Sequence, residues 1–218
     1  MNTIIDLTHD IEEGMITFNA PWHSQVSVQQ LGRIKVEGRE TRKLILGSHA
    51  GTHIDAPAHF ICGGNTIEKI PLNKLVGSVS IFDLTHLKEN EPVTKETLEK
   101  LGLSKKVLFR FGWGKYWNTP SFYRNYPFFT EDAAHYLISK GVELVGMDTP
   151  SPDDSRRKCD ASADDSPVHK LLLGHGIILV EYIANLDSVK ELDNWNLIAM
   201  PLKVRGGDGA PARVCIYK

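Results

Sequence analysis

The stretch Thr130-Glu-Asp-Ala-Ala-His-Tyr-Leu-Ile-Ser-Lys-Gly-Val-Glu-Leu-Val-Gly-Met147 holds the clearest helix of this sequence and the strand that follows it. Thr130 is a good N-cap, and the two acidic residues after it are favoured by the positive end of a helix dipole. Lys140-Gly141 is a typical helix end. The apolar run 142–147 then predicts a buried strand that ends at Asp148.

Strands and helices also alternate before this stretch. The run Gly77–Leu84 predicts a strand, and Lys106–Gly112 predicts another. Between them, Thr94–Leu101 predicts a short helix with a Thr N-cap and with Gly102 after its end. This order of elements is typical of α/β folds.

The first third of the chain predicts strands only. These are Ile4–Thr8, Ser24–Leu31 and a hairpin of Arg33–Val36 with Arg39–Leu46 around Glu37-Gly38. Together with the alternation that follows, they predict an α/β fold with a mixed sheet. A chain of 218 residues that is 41% hydrophobic can bury one good core, and no Pro-, Ser- or Gly-rich linker divides it. We therefore expect a single domain over residues 1–218.

The composition narrows the class of partner. With 25 basic and 27 acidic residues the net charge is −2, which gives no electrostatic footprint for nucleic acid or an anionic membrane. No apolar run approaches the roughly 20 residues of a membrane span, and the N-terminus lacks the segments of a signal peptide. Cys62, Cys159 and Cys215 are odd in number and scattered, which suits free thiols in a reducing compartment. We expect a cytoplasmic protein that acts on a small molecule.

The motif His49-Ala-Gly-Thr-His-Ile-Asp-Ala-Pro-Ala-His59 is the most informative part of the sequence for function. Its three imidazoles and one carboxylate all stand at odd positions, which an extended backbone would direct to one face. A helix would be interrupted by Gly51 and Pro57. For any one of these residues a solvated loop is the alternative, but the group together predicts a metal site.

Two later residues are candidates for the same site. Ser166-Pro167 predicts the start of a short helix, which places His169 in the first turn, where the positive helix end favours a neutral imidazole. Taken alone, a histidine such as His169 is more often a surface or capped residue than a metal ligand. Glu181 ends the apolar run 176–180, so its carboxylate must reach solvent, pair with a cation or bind a metal.

The motif His49-x-Gly-Thr-His-x-Asp-x-Pro-x-His59 resembles the signature of the cyclase family, which includes bacterial kynurenine formamidases (arylformamidases) and isatin hydrolases. Gly146-Met-Asp-Thr-Pro-Ser151 and Leu202-Lys-Val-Arg-Gly-Gly-Asp-Gly-Ala-Pro-Ala-Arg213 resemble two further segments of that family, and His169 and Glu181 its distal metal ligands. The resemblance spans nearly the whole chain and implies a β/β/α fold. It also implies a metal-dependent hydrolase of amides or cyclic imides.

The resemblance further implies how the metal would be held. The ligands would be His49, His53, Asp55, His169 and Glu181, around one or two Zn²⁺ ions, and Mn²⁺ would also suit this set. In a two-metal site Asp55 and Glu181 would bridge the ions, with His49 and His53 on one and His169 on the other. His59 would stand beside the metal as the general acid/base.

The substrate is less sharply indicated. Phe18 and Trp22 lie in a loop that corresponds to the substrate side of the family's pocket, although ordinary core packing is an equal alternative for both. Formamidases commonly have Trp-Pro-Gly-Asp there, whereas this chain has Phe18-Asn-Ala-Pro21. An arylformamidase and an isatin-hydrolase-like enzyme are therefore both candidates. A catalytically idle metal-binding protein and a metal-free binding module are the alternatives from other classes.

Three further expectations concern surfaces and loops. A homo-oligomer, dimer or tetramer, is expected by analogy and because closed symmetric assemblies are common. The polar segment 151–165 predicts a surface loop, for which a lid is an open alternative. Arg205–Pro211 predicts a turn between strands, with Asp208 and Arg213 as a possible ion pair.

Overall fold

A computed structural model of the chain describes residues 3–157 and 164–218. Its strands are β1 (Ile4–Asp6), β2 (Ser27–Gly32), β3 (Thr41–Ile45), β4 (His53–Asp55), β5 (Val76–Asp83), β6 (Pro92–Val93), β7 (Lys106–Arg110), β8 (Phe128–Phe129), β9 (Leu144–Met147), β10 (Ile178–Glu181), β11 (Trp195–Pro201) and β12 (Gly209–Tyr217). Its α-helices are α1 (Ile34–Glu37), α2 (Leu72–Leu75), α3 (Lys95–Glu99), α4 (Glu131–Ser139) and α5 (Pro167–Gly174). Single 3₁₀ turns cover Pro57–His59, Ile67–Lys69, Trp113–Tyr116, Pro120–Tyr123 and Leu186–Ser188.

The main sheet of the described residues closes on itself. Its strand order is β1-β12-β11-β5-β7-β9-β10-β4, and β4 pairs with β12 as well as with β10. The strands β5, β7, β9 and β10 are parallel, whereas the pairs that involve β1, β4, β11 and β12 are antiparallel. The predicted α/β fold with a mixed sheet is confirmed, and its closure gives it a barrel-like form.

Alternation along the central strands divides the core between the two faces of the sheet. On β9, Leu144 packs into the cluster on the inner face, whereas Val145 packs into the cluster under α4 and α5. The whole of β9 and β10 is buried, which explains why their sequences are continuously apolar. Gly146 has no room for a side chain, since a Cβ there would lie 2.4 Å from Leu108.

The helix predicted over 130–140 is observed as α4. Its N-cap Thr130 accepts a hydrogen bond from the backbone N–H of Ala133, and its buried residues include Leu137. The helix predicted from Ser166-Pro167 is observed as α5, with Pro167 in its first turn. Both helices cover the same face of the sheet. No helix among the described residues has the length and apolarity that crossing a membrane requires.

The predicted hairpin has different strands from those expected. In the structure β2 pairs with β3, and residues 34–37 form one helical turn that ends at Gly38 with φ of +72°. Four residues of alternating character fit a strand and a helical turn equally well, so the sequence pattern did not separate the two. The left-handed conformation of Gly38 ends the turn and returns the chain to β3.

Candidate metal centre

Two antiparallel strands bring the first ligand candidates together. His53 on β4 lies directly opposite Glu181 on β10, and Asp55 follows His53 on the same face. His53 Nε2 lies 3.3 Å from Asp55 Oδ1 and 3.4 Å from Glu181 Oε2. All three side chains are almost fully buried. The prediction that side chains two positions apart on an extended strand point to one face therefore holds for residues 53 and 55.

His49 lies beside the same residues, but a turn and not a strand places it there. It lies in a turn before β4, not on an extended strand as the spacing suggested, because Gly51 has a φ of +64° and turns the chain. A Cβ at Gly51 would meet only ordinary contacts with the protein, so it is the left-handed backbone conformation that favours glycine at this position. His49 Nδ1 lies 2.8 Å from Asp55 Oδ1.

His169 completes the group from the first turn of α5. Its Nε2 lies 3.1 Å from Glu181 Oε1 and 3.5 Å from Asp55 Oδ2. Its Nδ1 lies 2.6 Å from Asp153 Oδ2, and the same carboxylate accepts hydrogen bonds from the backbone N–H groups of Val168 and His169. A proton held on Nδ1 by Asp153 leaves the Nε2 lone pair directed at the two acidic residues.

The two carboxylates divide their oxygen atoms in the same way. Asp55 Oδ1 and Glu181 Oε2 face His53, whereas Asp55 Oδ2 and Glu181 Oε1 face His169. Neither oxygen of the buried Asp55 accepts a hydrogen bond of acceptable geometry within the described residues, despite these short contacts. Two ligand atoms that each lie about 2.0–2.1 Å from a tetrahedral zinc ion are about 3.3–3.4 Å apart. The residues present therefore fit a metal ion.

The carboxylates of the candidate metal centre favour a positive charge beside them. Burial lowers the pKa of His49, but the charge of Asp55, the short contact with its carboxylate and the hydrogen bond to Asp208 outweigh it and raise the pKa to about 10. Burial opposes the charged form of His53 as well, yet its carboxylate neighbours raise its pKa. Carboxylates that stabilise the protonated form of buried imidazoles would also stabilise a divalent cation, which would displace those protons.

His59 lies at the edge of this group, in the 3₁₀ turn after β4. Its Nδ1 lies 3.1 Å from Asp208 Oδ2, and the same oxygen lies 2.8 Å from His49 Nε2. The ring centroids of His49 and His59 are 4.0 Å apart. The structure also offers His49, Asp55 and His59 as one possible set of metal ligands and His53, Asp55 and Glu181 as another.

A cavity of about 460 Å³ opens above these residues, which is an ordinary size for a small-molecule site. Phe18 and Trp22 both line it. Trp22 is 66% exposed, so it is not part of the core. Phe18 packs against Tyr123, with ring centroids 5.9 Å apart. Tyr182, whose ring is 4.8 Å from that of His53, forms the floor of the cavity near the candidate metal centre.

The comparisons with known proteins agree with this geometry. Residues 5–154 match the model of the family described as "Putative cyclase". The chain is 32% identical to a kynurenine formamidase of Bacillus thuringiensis subsp. konkukian, over 97% of this chain and 96% of that one. The chain belongs to the cyclase family.

Two solved structures extend the similarity to the whole fold of this cyclase-family chain. One is a predicted metal-dependent hydrolase from Bacillus stearothermophilus, which is 33% identical, with a TM-score of 0.78 over 100% of this chain and 98% of that one. The other is isatin hydrolase A from Labrenzia aggregata bound to benzyl benzoate, which is 25% identical, with a TM-score of 0.83 over 99% of this chain and 93% of that one. The predicted family and its cyclase-like fold are confirmed.

The structure of this cyclase-family chain corrects two sequence-based expectations near the site. The segment 151–165 is not wholly a surface loop, because Asp153 is buried against His169. Residues 158–163, with Cys159, lie outside the described residues, so the lid stays untested. The expected pair of Asp208 with Arg213 is wrong, since Arg213 binds Asp6 and Asp208 faces the histidines.

Three residues to which the sequence analysis gave no role in the site contribute to it. Asp153 and Asp208 hold imidazoles, and no spacing in the sequence links Asp208 to His49 or Asp153 to the motif at 49–59. His23 lines the cavity with its ring centroid 6.0 Å from that of His49. Burial and the neighbouring imidazoles lower the pKa of His23 to about 4, so it is neutral at pH 7.

Proposed function

We propose that this chain hydrolyses the carbon–nitrogen bond of an aryl formamide such as N-formylkynurenine. The chain is a metal-dependent hydrolase of amide carbon–nitrogen bonds. This class rests on the family and on relatives named as kynurenine formamidase and metal-dependent hydrolase. The observation that carries the proposal is the division of the Asp55 and Glu181 oxygens between His53 and His169.

The residues that would hold the metal are His49, His53, Asp55, His169 and Glu181. Asp55 and Glu181 each present one oxygen to either side, which suits two Zn²⁺ ions with bridging carboxylates as well as one, and Mn²⁺ is compatible with the same ligands. A bound ion of this kind lowers the pKa of water to about 7 and polarises a carbonyl oxygen.

His59 has the place and the free nitrogen of a general acid/base. Its Nδ1–H donates to Asp208, so Nε2 is available to take up a proton and to deliver it to the amine that leaves. The His59 ring lies on the cavity wall and is partly exposed, which gives it access to a bound substrate. We propose that it acts as the catalytic residue.

The cavity wall suits an aromatic substrate. Phe18, Phe60 and Tyr123 offer ring faces or edges around the opening, and Trp22 adds an exposed indole at the rim. We propose Phe18 and Trp22 as the substrate-binding side chains. The same wall would accept isatin, and the similarity to an isatin hydrolase keeps a cyclic-amide hydrolase as the second candidate.

The test combines metal content with turnover. Wild type, His53→Ala and His59→Ala are purified without added metal, analysed for metal by mass spectrometry and assayed with N-formylkynurenine, formanilide and isatin. We expect His53→Ala to lose metal and turnover, and His59→Ala to keep metal and lose about 10²–10⁴-fold in rate. Loss of metal from both variants would place His59 among the ligands. A wild type that binds metal but cleaves none of the three compounds would favour the idle protein.

We also propose a homo-oligomer. The β2–β3 hairpin pairs only within itself among the described strands, and it carries exposed apolar side chains at Leu31, Ile34, Val36 and Leu44. An isolated two-stranded hairpin is marginally stable in water, and such a patch commonly marks an interface. Light scattering of wild type and of Leu31→Glu/Leu44→Glu tests this, with a dimer or tetramer expected only for wild type.

Cytoplasmic location, which rests on free thiols at Cys62 and Cys215, stays part of the proposal.

A further inference from the structure

The loop between β11 and β12 brings a carboxylate to the candidate metal centre. β12 pairs with β4 so that Gly209 lies opposite Asp55, and the carbonyl of Asp208 accepts a hydrogen bond from the backbone N–H of Ala56 at 2.9 Å. The carbonyl of Gly207 accepts another from Ile67 at 2.8 Å. Because backbone contacts hold this loop, the position of Asp208 does not depend on its own side chain.

The glycine after Asp208 permits a close approach to His49. A Cβ at Gly209 would lie 2.9 Å from His49 Cε1 and 2.8 Å from the carbonyl oxygen of Ile54. Any larger residue would push the loop or the imidazole away. This close approach explains why position 209 is a glycine.

A single oxygen of Asp208 receives two imidazoles. His49 Nε2 lies 2.8 Å and His59 Nδ1 lies 3.1 Å from Oδ2. A carboxylate oxygen can only accept, so both nitrogens must carry a proton. With a metal in place of its second proton, His49 would present its Nδ1 lone pair on the side of Asp55, and His59 presents its Nε2 lone pair to the cavity.

We propose that Asp208 is a positioning residue that sets the tautomers of His49 and His59 together. It couples a candidate metal ligand to the candidate acid/base through one oxygen atom. The inference rests on the proposed function in so far as it concerns turnover. The orientation of the two imidazoles, however, is a property of the chain itself and can be measured without a substrate.

The experiment uses the Zn²⁺-loaded protein and the variants Asp208→Ala and Asp208→Asn. Long-range ¹H–¹⁵N correlation spectra of the histidine rings identify which nitrogen carries the proton. In wild type we expect the proton of His59 on Nδ1 and that of His49 on Nε2. In Asp208→Ala we expect His59 to lose this preference. Asp208→Asn, whose amide oxygen can still accept, should keep the wild-type tautomers.

Zn²⁺ affinity and turnover give the second readout. Partners that orient a ligand typically change metal affinity or activity about 10–100-fold, so Asp208→Ala should weaken Zn²⁺ binding or lower kcat by that factor. KM should stay unchanged because Asp208 acts through His59 and not on the substrate. Asp208→Asn should recover part of the loss. The exposed Asp193→Asn, which does not line the cavity, is the matched control.

Two results would overturn the inference. One is a wild-type spectrum with the His59 proton on Nε2. The other is an Asp208→Ala variant whose only defect is a higher KM, which would place Asp208 against the substrate. If the wild type cleaves no formamide or isatin, the proposed function fails, but the tautomers and the Zn²⁺ affinity still decide the role of Asp208. Thermal unfolding of each variant checks that it is folded.

Discussion

Replacing Asp153 by Asn should weaken metal binding through His169 without changing any candidate ligand. Asp153 is 4% exposed and accepts three hydrogen bonds: from Val168 N–H at 2.8 Å, from His169 N–H at 3.1 Å and from His169 Nδ1 at 2.6 Å. Asn has the same shape, but one of its two terminal atoms is an NH₂ group. That group must face at least one of these donors, whichever way the amide is turned.

The magnitude follows from these three bonds. A buried donor left unsatisfied costs about 1–3 kcal/mol, and each remaining bond weakens from about 1.5–3 to about 0.5–1.5 kcal/mol when the acceptor loses its charge. With one donor unsatisfied and two bonds that each lose about 1–1.5 kcal/mol, we expect the free energy of unfolding of metal-free protein to fall by about 3–6 kcal/mol. A loosened His169 should also raise the Kd for Zn²⁺ about 10–100-fold, which is about 1.4–2.7 kcal/mol.

The assay is thermal unfolding with and without saturating Zn²⁺. Metal stabilises the folded state by an amount that falls directly as Kd rises. For a chain of this size each kcal/mol corresponds to about 2–4 °C, so the rise in Tm caused by Zn²⁺ should be about 3–10 °C smaller in Asp153→Asn. The exposed Asp187→Asn serves as the control and should behave as wild type. An unchanged Zn²⁺-induced rise in Tm, with unchanged affinity in chelator competition, would refute this role of Asp153.

Three further predictions concern packing and pH. Thr52→Val should lower the free energy of unfolding by about 2–4 kcal/mol in urea titrations, because the Thr52 hydroxyl serves the His9 N–H and the Tyr182 carbonyl; Thr52→Ser should be close to wild type. Gly209→Ala should cost about 1–3 kcal/mol in the same titrations and release metal, whereas Gly102→Ala, with open space around it, should be neutral. Burial lowers the pKa of His9 to about 4, below its unfolded value near 6.5. The contribution of neutral His9 to the free energy of unfolding is therefore complete above pH 6.5 and is lost as the pH falls towards 4. Metal-free His9→Phe should therefore lose less stability between pH 7.5 and pH 4.5 than metal-free wild type, and an equal loss would contradict this reasoning.

The local part of the fold was predictable because its signals are local. The helix α4 has its cap, its acidic first turn and its glycine end within a dozen residues, and each of these acts on its own backbone. The buried strands β9 and β10 are apolar throughout because both of their faces are covered. The hairpin was misplaced where a four-residue pattern fitted two conformations.

The sequence by itself determined the family, the α/β class and a set of imidazoles and carboxylates that fits a metal. Spacing within the motif places His53 and Asp55 on one face because residues 53–55 are extended. Only the tertiary structure decided which distant carboxylates hold those imidazoles. Asp208 is 159 residues from His49 along the chain and reaches it because β12 closes the sheet against β4. Periodicity records which face a residue occupies but not which strand ends meet, because that choice depends on packing of the whole core.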